Sequence, residues 1–330
     1  MEFVSLGTTG LKVSGLCFGT MSFGGIADQE ISATMFHRCR DAGINLFDCA
    51  NVYADGRSEE ILGRLIAGCR DEVIITSKVY FPTGDDINAR GGSRRHIMQE
   101  VDKSLRRLKT EYIDIYFLHR FDPDTPLEET LRALDDLVQQ GKILYPAVSN
   151  FAAWQVMKAL GISRARDWAP IMGIQPMYNL VKRQAEVEIL PLARAENLTV
   201  LPYSPLGGGL LTGKYEQEKR PESGRLVENE MYQVRYRAPS NYEVAERFAR
   251  FAEEQGYRPA ALAIAWVASH PAVTAPLIGA RNPEQLEESL QALEIEMTPD
   301  LRQAISDLSP APPPATDRIE ERTGYTYKRR

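Results

Sequence analysis

The sequence predicts a (β/α)8 TIM barrel, and three observations predict it. Short apolar runs rich in β-branched residues recur eight times along the 330 residues. A helical pattern follows most of them, and the length suits one barrel, usually ~250 residues plus insertions. Continuous apolar runs of this kind fit strands buried on both faces of a parallel sheet. A doubly wound sheet is the rival, but the chain contains no G-x-G-x-x-G, so the usual phosphate turn of that fold is missing. One domain over 1–330 is expected, with an irregular, Pro-rich and charged tail from about 310.

The elements follow in order. FVSLGTTGLKVSG reads as a short N-terminal β-hairpin turning at Thr9-Gly10, suited to plug one barrel end. The strands are GLCFGT (15–20), INLFDCA (44–50), VIITSK (73–78) and IDIYFLH (113–119), then ILYPAVSN (143–150), IMGIQ (171–175), LTVLPYS (198–204) and APLIG (275–279). After the third, SRRHIMQEVDKSLRRL aligns Ile97, Val101, Leu105 and Leu108 on one helical face, with charges opposite. PLEETLRALDDLVQQGK starts with Pro126 and two glutamates, carries a stripe through Leu131, Leu134 and Val138, and stops at Gly141-Lys142. The polar stretch from Glu216 to Ser240 interrupts the seventh unit and reads as a long loop, of the sort that forms lids or binding loops.

Composition narrows the function. The apolar fraction of 43% and charged fraction of 25% are those of a soluble globular protein. A net charge of −6 argues against a broad nucleic-acid face. The four cysteines include no C-x-x-C and the four histidines show no zinc spacing. Free thiols in a reducing cytosol and no metal are therefore expected. The N-terminus does not read as a signal peptide. The longest apolar run, roughly 260–268, is far short of the ~20 residues that cross a bilayer. The expectation is a cytoplasmic protein with no membrane or nucleic-acid partner; an oligomer is neither indicated nor excluded.

Barrel chemistry sits at the C-terminal ends of the strands. Those ends carry Thr20, Asp48, Lys78, His119, Ser149-Asn150, Gln175, Tyr203-Ser204 and Gly279, with Tyr53 five residues past Asp48. Singly, each has a plainer reading. Asp48 would cap a helix, Lys78 would be a solvated charge, His119 a satisfied structural histidine and Tyr53 a loop aromatic. Together at one rim they suit carbonyl reduction. Hydride arriving at a carbonyl carbon leaves a developing alkoxide in need of a proton. Tyrosine, with an ordinary pKa of ~10, is a reluctant donor, and a Lys78 ammonium held by Asp48 would lower it. His119 would orient the carbonyl oxygen.

A further motif raises a different possibility. GGLLTGKY (208–215) matches a P-loop, G-x-x-x-x-G-K-[ST], up to its last letter. Tyr215 cannot hold magnesium as Ser or Thr would, which argues against nucleotide hydrolysis and leaves open whether the glycines hold a phosphate for another purpose.

Over nearly its whole length the sequence resembles the aldo-keto reductase family, in its bacterial and potassium-channel β-subunit branches. The resemblance rests on LGTTGLKVS, FDCANVYADGRSEEILG, ITSK, IDIYFLHR, AVSNF, GIQPMYNL, LPYSPLGGGLLTGKY and LIGARNPEQLEESLQAL. It puts the family's catalytic tetrad on Asp48, Tyr53, Lys78 and His119. It implies NADP(H) bound across the barrel mouth beneath a covering loop after strand seven. Gly19, Thr20, Met21 and Asp48 would lie beside it, Ser149, Asn150 and Gln175 would bond the nicotinamide carboxamide, and Tyr203 would stack on the ring. Ser204, Pro205, Leu206, Gly207 and Gly208 would follow the pyrophosphate, with Lys214 and Arg225 as phosphate partners. Gly279, Arg281, Gln285, Glu288 and Ser289 would surround the adenosine, at a helix start that favours anions. Arg281 would pair with a 2′-phosphate, so NADP(H) is expected in preference to NAD(H). Pro146-Ala147 replaces a glycine that many relatives carry ahead of VSN. Phe23, Tyr80, Arg120 and Phe121 are the expected mouth residues. The implied activity is NADPH-dependent reduction of an aldehyde or ketone, with a small sugar-like or phosphorylated carbonyl compound as one reading. The alternative is a cofactor-binding, redox-sensing regulatory subunit like those of the channels.

Overall fold

The apolar runs fold into strands of two to seven residues, within or one residue beyond the predicted ranges. The structure is a computed structural model describing residues 2–215 and 221–318. The hairpin comprises β1 (Phe3–Ser5) and β2 (Lys12–Ser14), paired antiparallel. The barrel strands are β3 (Cys17–Gly19), β4 (Leu46–Asp48), β5 (Ile74–Val79), β6 (Ile113–Leu118), β7 (Ile143–Ser149), β8 (Gly173–Gln175), β9 (Thr199–Val200) and β10 (Leu277–Ile278). They lie parallel in the order β10-β3-β4-β5-β6-β7-β8-β9. Between the outer two, the Leu277 N–H donates to Pro202 O at 2.9 Å and the Thr274 N–H to Val200 O at 2.9 Å, which closes the ring.

Alternation along the strands sorts side chains into two cores. On β6, Ile115 and Phe117 pack with Cys17, Leu46, Ala147, Leu201 and Leu277 in the barrel interior. Tyr116 and Leu118 face the helices instead. Leu6 and Val13 of the hairpin join the interior group, and the Ser14 N–H donates to Asn45 Oδ1 just ahead of β4. The hairpin therefore plugs the end where the strands begin.

Helix Arg94–Leu108 starts where Ser93 accepts from the His96 N–H, and it buries Ile97, Val101 and Leu108. Helix Leu127–Gln139 buries Leu131 and Leu134. Pro146 is tolerated within β7 because its carbonyl accepts from Met172 N. On that side its missing N–H faces chain ahead of β8, outside the paired residues. One expectation fails. Within the stretch read as a long loop, residues 225–236 form two short helices, Arg225–Glu228 and Glu230–Tyr236. Tyr232 and Tyr236, four apart, bury one face against the barrel mouth. Residues 310–318 have neither helix nor strand. The start of that loop (216–220) and the end of the tail (319–330) lie outside the described residues. Among the described residues, no helix is long and apolar enough to cross a membrane.

Candidate active site

Adjacent strand ends build the floor of the site. Asp48 ends β4 opposite Thr76 of β5, and Lys78, two residues further on, projects from the same face of the sheet. The Lys78 ammonium donates to Asp48 Oδ2 at 2.5 Å, to Cys49 O at 2.7 Å and to the Tyr53 hydroxyl at 3.3 Å. Asp48 Oδ1 accepts from Thr76 Oγ1 at 2.7 Å and from Gln175 Nε2 at 2.8 Å. Lys78 is 0% exposed and Asp48 1%, which rules out both the solvated lysine and the helix cap. Burial opposes the Lys78 charge, but Asp48 and Tyr53 outweigh it and its pKa is raised.

Tyr53 is delivered by a tight turn. Ala54 and Asp55 adopt left-handed φ of 49° and 56°, and Gly56 follows at 89°. A Cβ on Gly56 would stand 2.9 Å from Arg107 Cδ, and Arg107 is itself anchored by buried Glu59 at 2.6 Å. Glycine is required there. The expectation that Lys78 makes this phenol acidic is met in sign but not in sum. Burial pushes the Tyr53 phenol up to about 12, against the lowering pull of Lys78. Tyr53 therefore holds its proton at neutral pH.

His119 packs edge-on against Tyr53, with ring centroids 6.1 Å apart, and against Phe81 at 4.9 Å. Burial first, then the Lys78 charge, holds its pKa well below the usual value, so the imidazole is neutral. Its buried Nδ1 has no hydrogen-bond partner.

Above this floor opens a cavity of about 1050 Å³. Tyr53, Asp48 and His119 reach it, as do Gly19, Met21, Ser149, Asn150, Gln175 and Tyr203. Ser204, Pro205, Leu206, Gly208, Lys214 and Arg225 line its next stretch, and Gly279, Arg281, Gln285, Glu288 and Ser289 its far end. Three candidates do not line it. Lys78 lies beneath the floor; Thr20 is buried, its hydroxyl turned to Asp48 O and Ser58; and Gly207 sits behind the turn. At the mouth, Phe23 is fully buried in the core, and Phe81 lines the cavity in place of Tyr80 and Phe121. Arg120 does line it. Met231, Tyr232 and Arg235 were missed because their segment was read as loop; the i, i+4 tyrosines were the available signal.

Two non-glycine residues beside the floor are strained. Asn150 and Ser204 both have φ of 57°, a conformation that costs about 1–3 kcal/mol where structure enforces it. The Asn150 amide donates to His119 O at 2.9 Å and accepts from the Tyr203 hydroxyl at 2.7 Å. With the Gln175 NH₂ taken by Asp48, its carbonyl oxygen is the group left for a ligand.

The donor set at the other end suits a dinucleotide. Gly207, Gly208 and Gly209 all have positive φ, and a Cβ on Gly208 would stand 2.7 Å from the Tyr232 ring. Lys214, Arg225 and Arg281 gather beside this turn. Burial, then the nearby Arg281 charge, lowers the Lys214 pKa. An ammonium crowded by cations beside backbone N–H groups suits a polyanion. Tyr215, the residue that departs from the P-loop pattern, is 1% exposed and belongs to the core.

The sequence model of the Aldo/keto reductase family matches residues 15–309. The chain belongs to that family. Aldo/keto reductases are oxidoreductases that use nicotinamide cofactors on small carbonyl compounds. This family member is similar to the uncharacterized oxidoreductase YrpG of Bacillus subtilis, at 36% identity over 94% of this chain and 97% of the relative. It is also 36% identical to a probable voltage-gated potassium channel subunit beta of Arabidopsis thaliana, over 89% and 92% of the two chains. The versiconal hemiacetal acetate reductase of Aspergillus parasiticus is 32% identical over 91% and 94%.

Proposed function

We propose that this aldo/keto reductase reduces an aldehyde or ketone to an alcohol with NADP(H), Tyr53 serving as general acid. The reading is carried by one observation: the Lys78 ammonium lies 3.3 Å from the Tyr53 hydroxyl, with Asp48 fixing its far side. When bound, the reduced nicotinamide supplies hydride to the carbonyl carbon. The protein handles the oxygen. His119, neutral, donates a hydrogen bond that orients the carbonyl, and Tyr53 passes its phenolic proton to the oxygen as charge builds there. Lys78 stabilises the tyrosinate left behind until solvent reprotonates it. Ser149, Asn150 and the Gln175 carbonyl would hold the carboxamide and Tyr203 would stack on the ring. The Gly208–Gly209 turn, Lys214 and Arg225 would hold the pyrophosphate, and Arg281 a 2′-phosphate. Tyr53→Phe is expected to lower kcat/KM for a good aldehyde by about 10²–10⁴-fold while NADPH affinity, read by fluorescence titration, changes little. Wild-type turnover in that variant would remove the assignment.

The plant relative named as a channel subunit supports a second reading, a regulatory subunit whose cofactor occupancy reports redox state. Stable capture by a membrane partner, together with negligible turnover on every aldehyde tried, would favour it.

A further inference from the structure

The cations that line the cavity are not confined to the glycine turn. There are five, Arg120, Lys214, Arg225, Arg235 and Arg281, against two carboxylates, Asp48 and Glu288. Both carboxylates are engaged, Asp48 by Lys78 and Glu288 by Arg258 at 3.7 Å. Lys214, Arg225 and Arg281 stand together at the glycine turn and match the cofactor phosphates. Arg120 belongs to the other end, and Arg235 stands between the two, over the Tyr232 ring that Arg225 also covers at 5.5 Å.

Arg120 directly follows His119 at the end of β6. The nearest acid in sequence, Asp122, is consumed by its own loop. It accepts from the Gly92 N–H at 2.7 Å, from Thr125 Oγ1 at 2.7 Å and from the Asp124 N–H at 3.1 Å. Arg235 lies over Tyr232 at 5.0 Å and over Tyr203 at 6.0 Å. Tyr203 connects through Asn150 to His119, so Arg235 reaches from the glycine turn toward the floor where the carbonyl reacts, and Arg120, next to His119, borders that floor. Neither has a carboxylate partner among the described residues. Unpaired arginines beside an apolar wall recognise carboxylate or phosphate.

We propose that the carbonyl substrate carries an anionic group a few atoms from its carbonyl, held by Arg120 with Arg235 assisting. This rests on the reading of the cavity as a carbonyl-reducing site. The chemistry is unchanged, with hydride to the carbonyl carbon and a proton to its oxygen; the anion is only held. Two matched pairs test it, with NADPH as donor. Succinic semialdehyde against butanal probes a carboxylate, and glyceraldehyde 3-phosphate against glyceraldehyde probes a phosphate. Wild-type kcat/KM should favour the anionic member of at least one pair by about tenfold or more. Arg120→Gln should bring that ratio close to one through KM, Arg120→Lys should restore part of it, and Arg235→Gln should reduce it. In the wild type, salt should raise KM for the anionic member only, a readout that does not depend on any variant folding. Ratios near one in both pairs, or a ratio unmoved by both glutamine variants, would overturn the proposal. If none of the four compounds is reduced by protein that binds NADPH, the carbonyl-reducing reading itself fails.

Discussion

Two lysines show how differently this barrel treats its charges. Lys78 is wholly buried, yet its pKa is raised, because Asp48, a carbonyl and the Tyr53 hydroxyl receive its three protons. Lys214 is an exposed residue, yet its pKa is lowered, because partial desolvation of its ammonium and the neighbouring Arg281 charge work together. The first is completed by the fold, on strands whose pairing sets the distances. The second lies past a glycine turn and has no carboxylate partner among the described residues. In the proposed reading, the charge that serves catalysis is settled by folding, whereas the charge that would meet the cofactor is left unsettled.

The comparison breaks most visibly in stability. Lys78→Met strands Asp48 in the interior with only Thr76 and Gln175 as donors, and removing one partner of a buried pair costs about 3–5 kcal/mol. Urea unfolding should show that loss, together with loss of turnover. Lys214→Met removes an unfavourably placed charge, so unfolding should move by less than about 0.5 kcal/mol in either direction. A Lys214 variant as unstable as the Lys78 variant would mean the two ends of the cavity are built alike.

Arg281 sharpens the contrast at the ligand end. If it receives a 2′-phosphate, Arg281→Ala should weaken NADPH by about tenfold, or ~1.4 kcal/mol, and leave NADH almost untouched. Equal losses for both cofactors, measured by titration, would reassign it to the pyrophosphate or to structure.

The same division explains what could be read from the sequence. Strand positions are legible because apolar runs mark buried strands, and the convergence of Asp48, Tyr53, Lys78 and His119 is legible because polar residues at neighbouring strand ends share one rim. Lys78 and Asp48 then follow from pairing register. Beyond the strand ends, period two lapses, and turn geometry decides direction. Thus Phe81, not Tyr80, meets His119, while Thr20 turns inward to Asp48 O and Ser58. The 225–236 segment was obscured for another reason: its charged residues hid a two-tyrosine face that only a barrel mouth would bury. The Tyr53 pKa was misjudged because sequence names the neighbour that lowers it but not the burial that raises it more.

Glu228→Gln is a milder break. Glu228 holds Arg281 at 3.2 Å from a half-exposed position, and such pairs contribute about 0–1 kcal/mol. Folding stability should barely change. Freed of this competitor, Arg281 should bind NADPH slightly more tightly, by less than about threefold on the same scale; weaker binding would mean that Glu228 helps to position the arginine.

The smallest effect expected is in the pH profile, and here the sign can be worked through. In the proposed reaction, reduction needs Tyr53 protonated and His119 neutral. Tyr53, pushed up to about 12, keeps its proton until pH rises through that value. His119, held well below its ordinary value by burial and Lys78, stays neutral until pH falls well under 6.5. The reduction kcat/KM should therefore vary less than about twofold between pH 7 and 10, with Tyr53 governing any alkaline fall. Stability has a complementary dependence: below ~6.5 the unfolded chain takes up a proton that the folded His119 refuses. Acid should thus destabilise the barrel, and less so in His119→Gln. An alkaline limb near pH 8 or 9 would show that the Lys78 pull on the phenol exceeds the burial that opposes it, and that the floor is less settled by folding than the comparison of the two lysines holds.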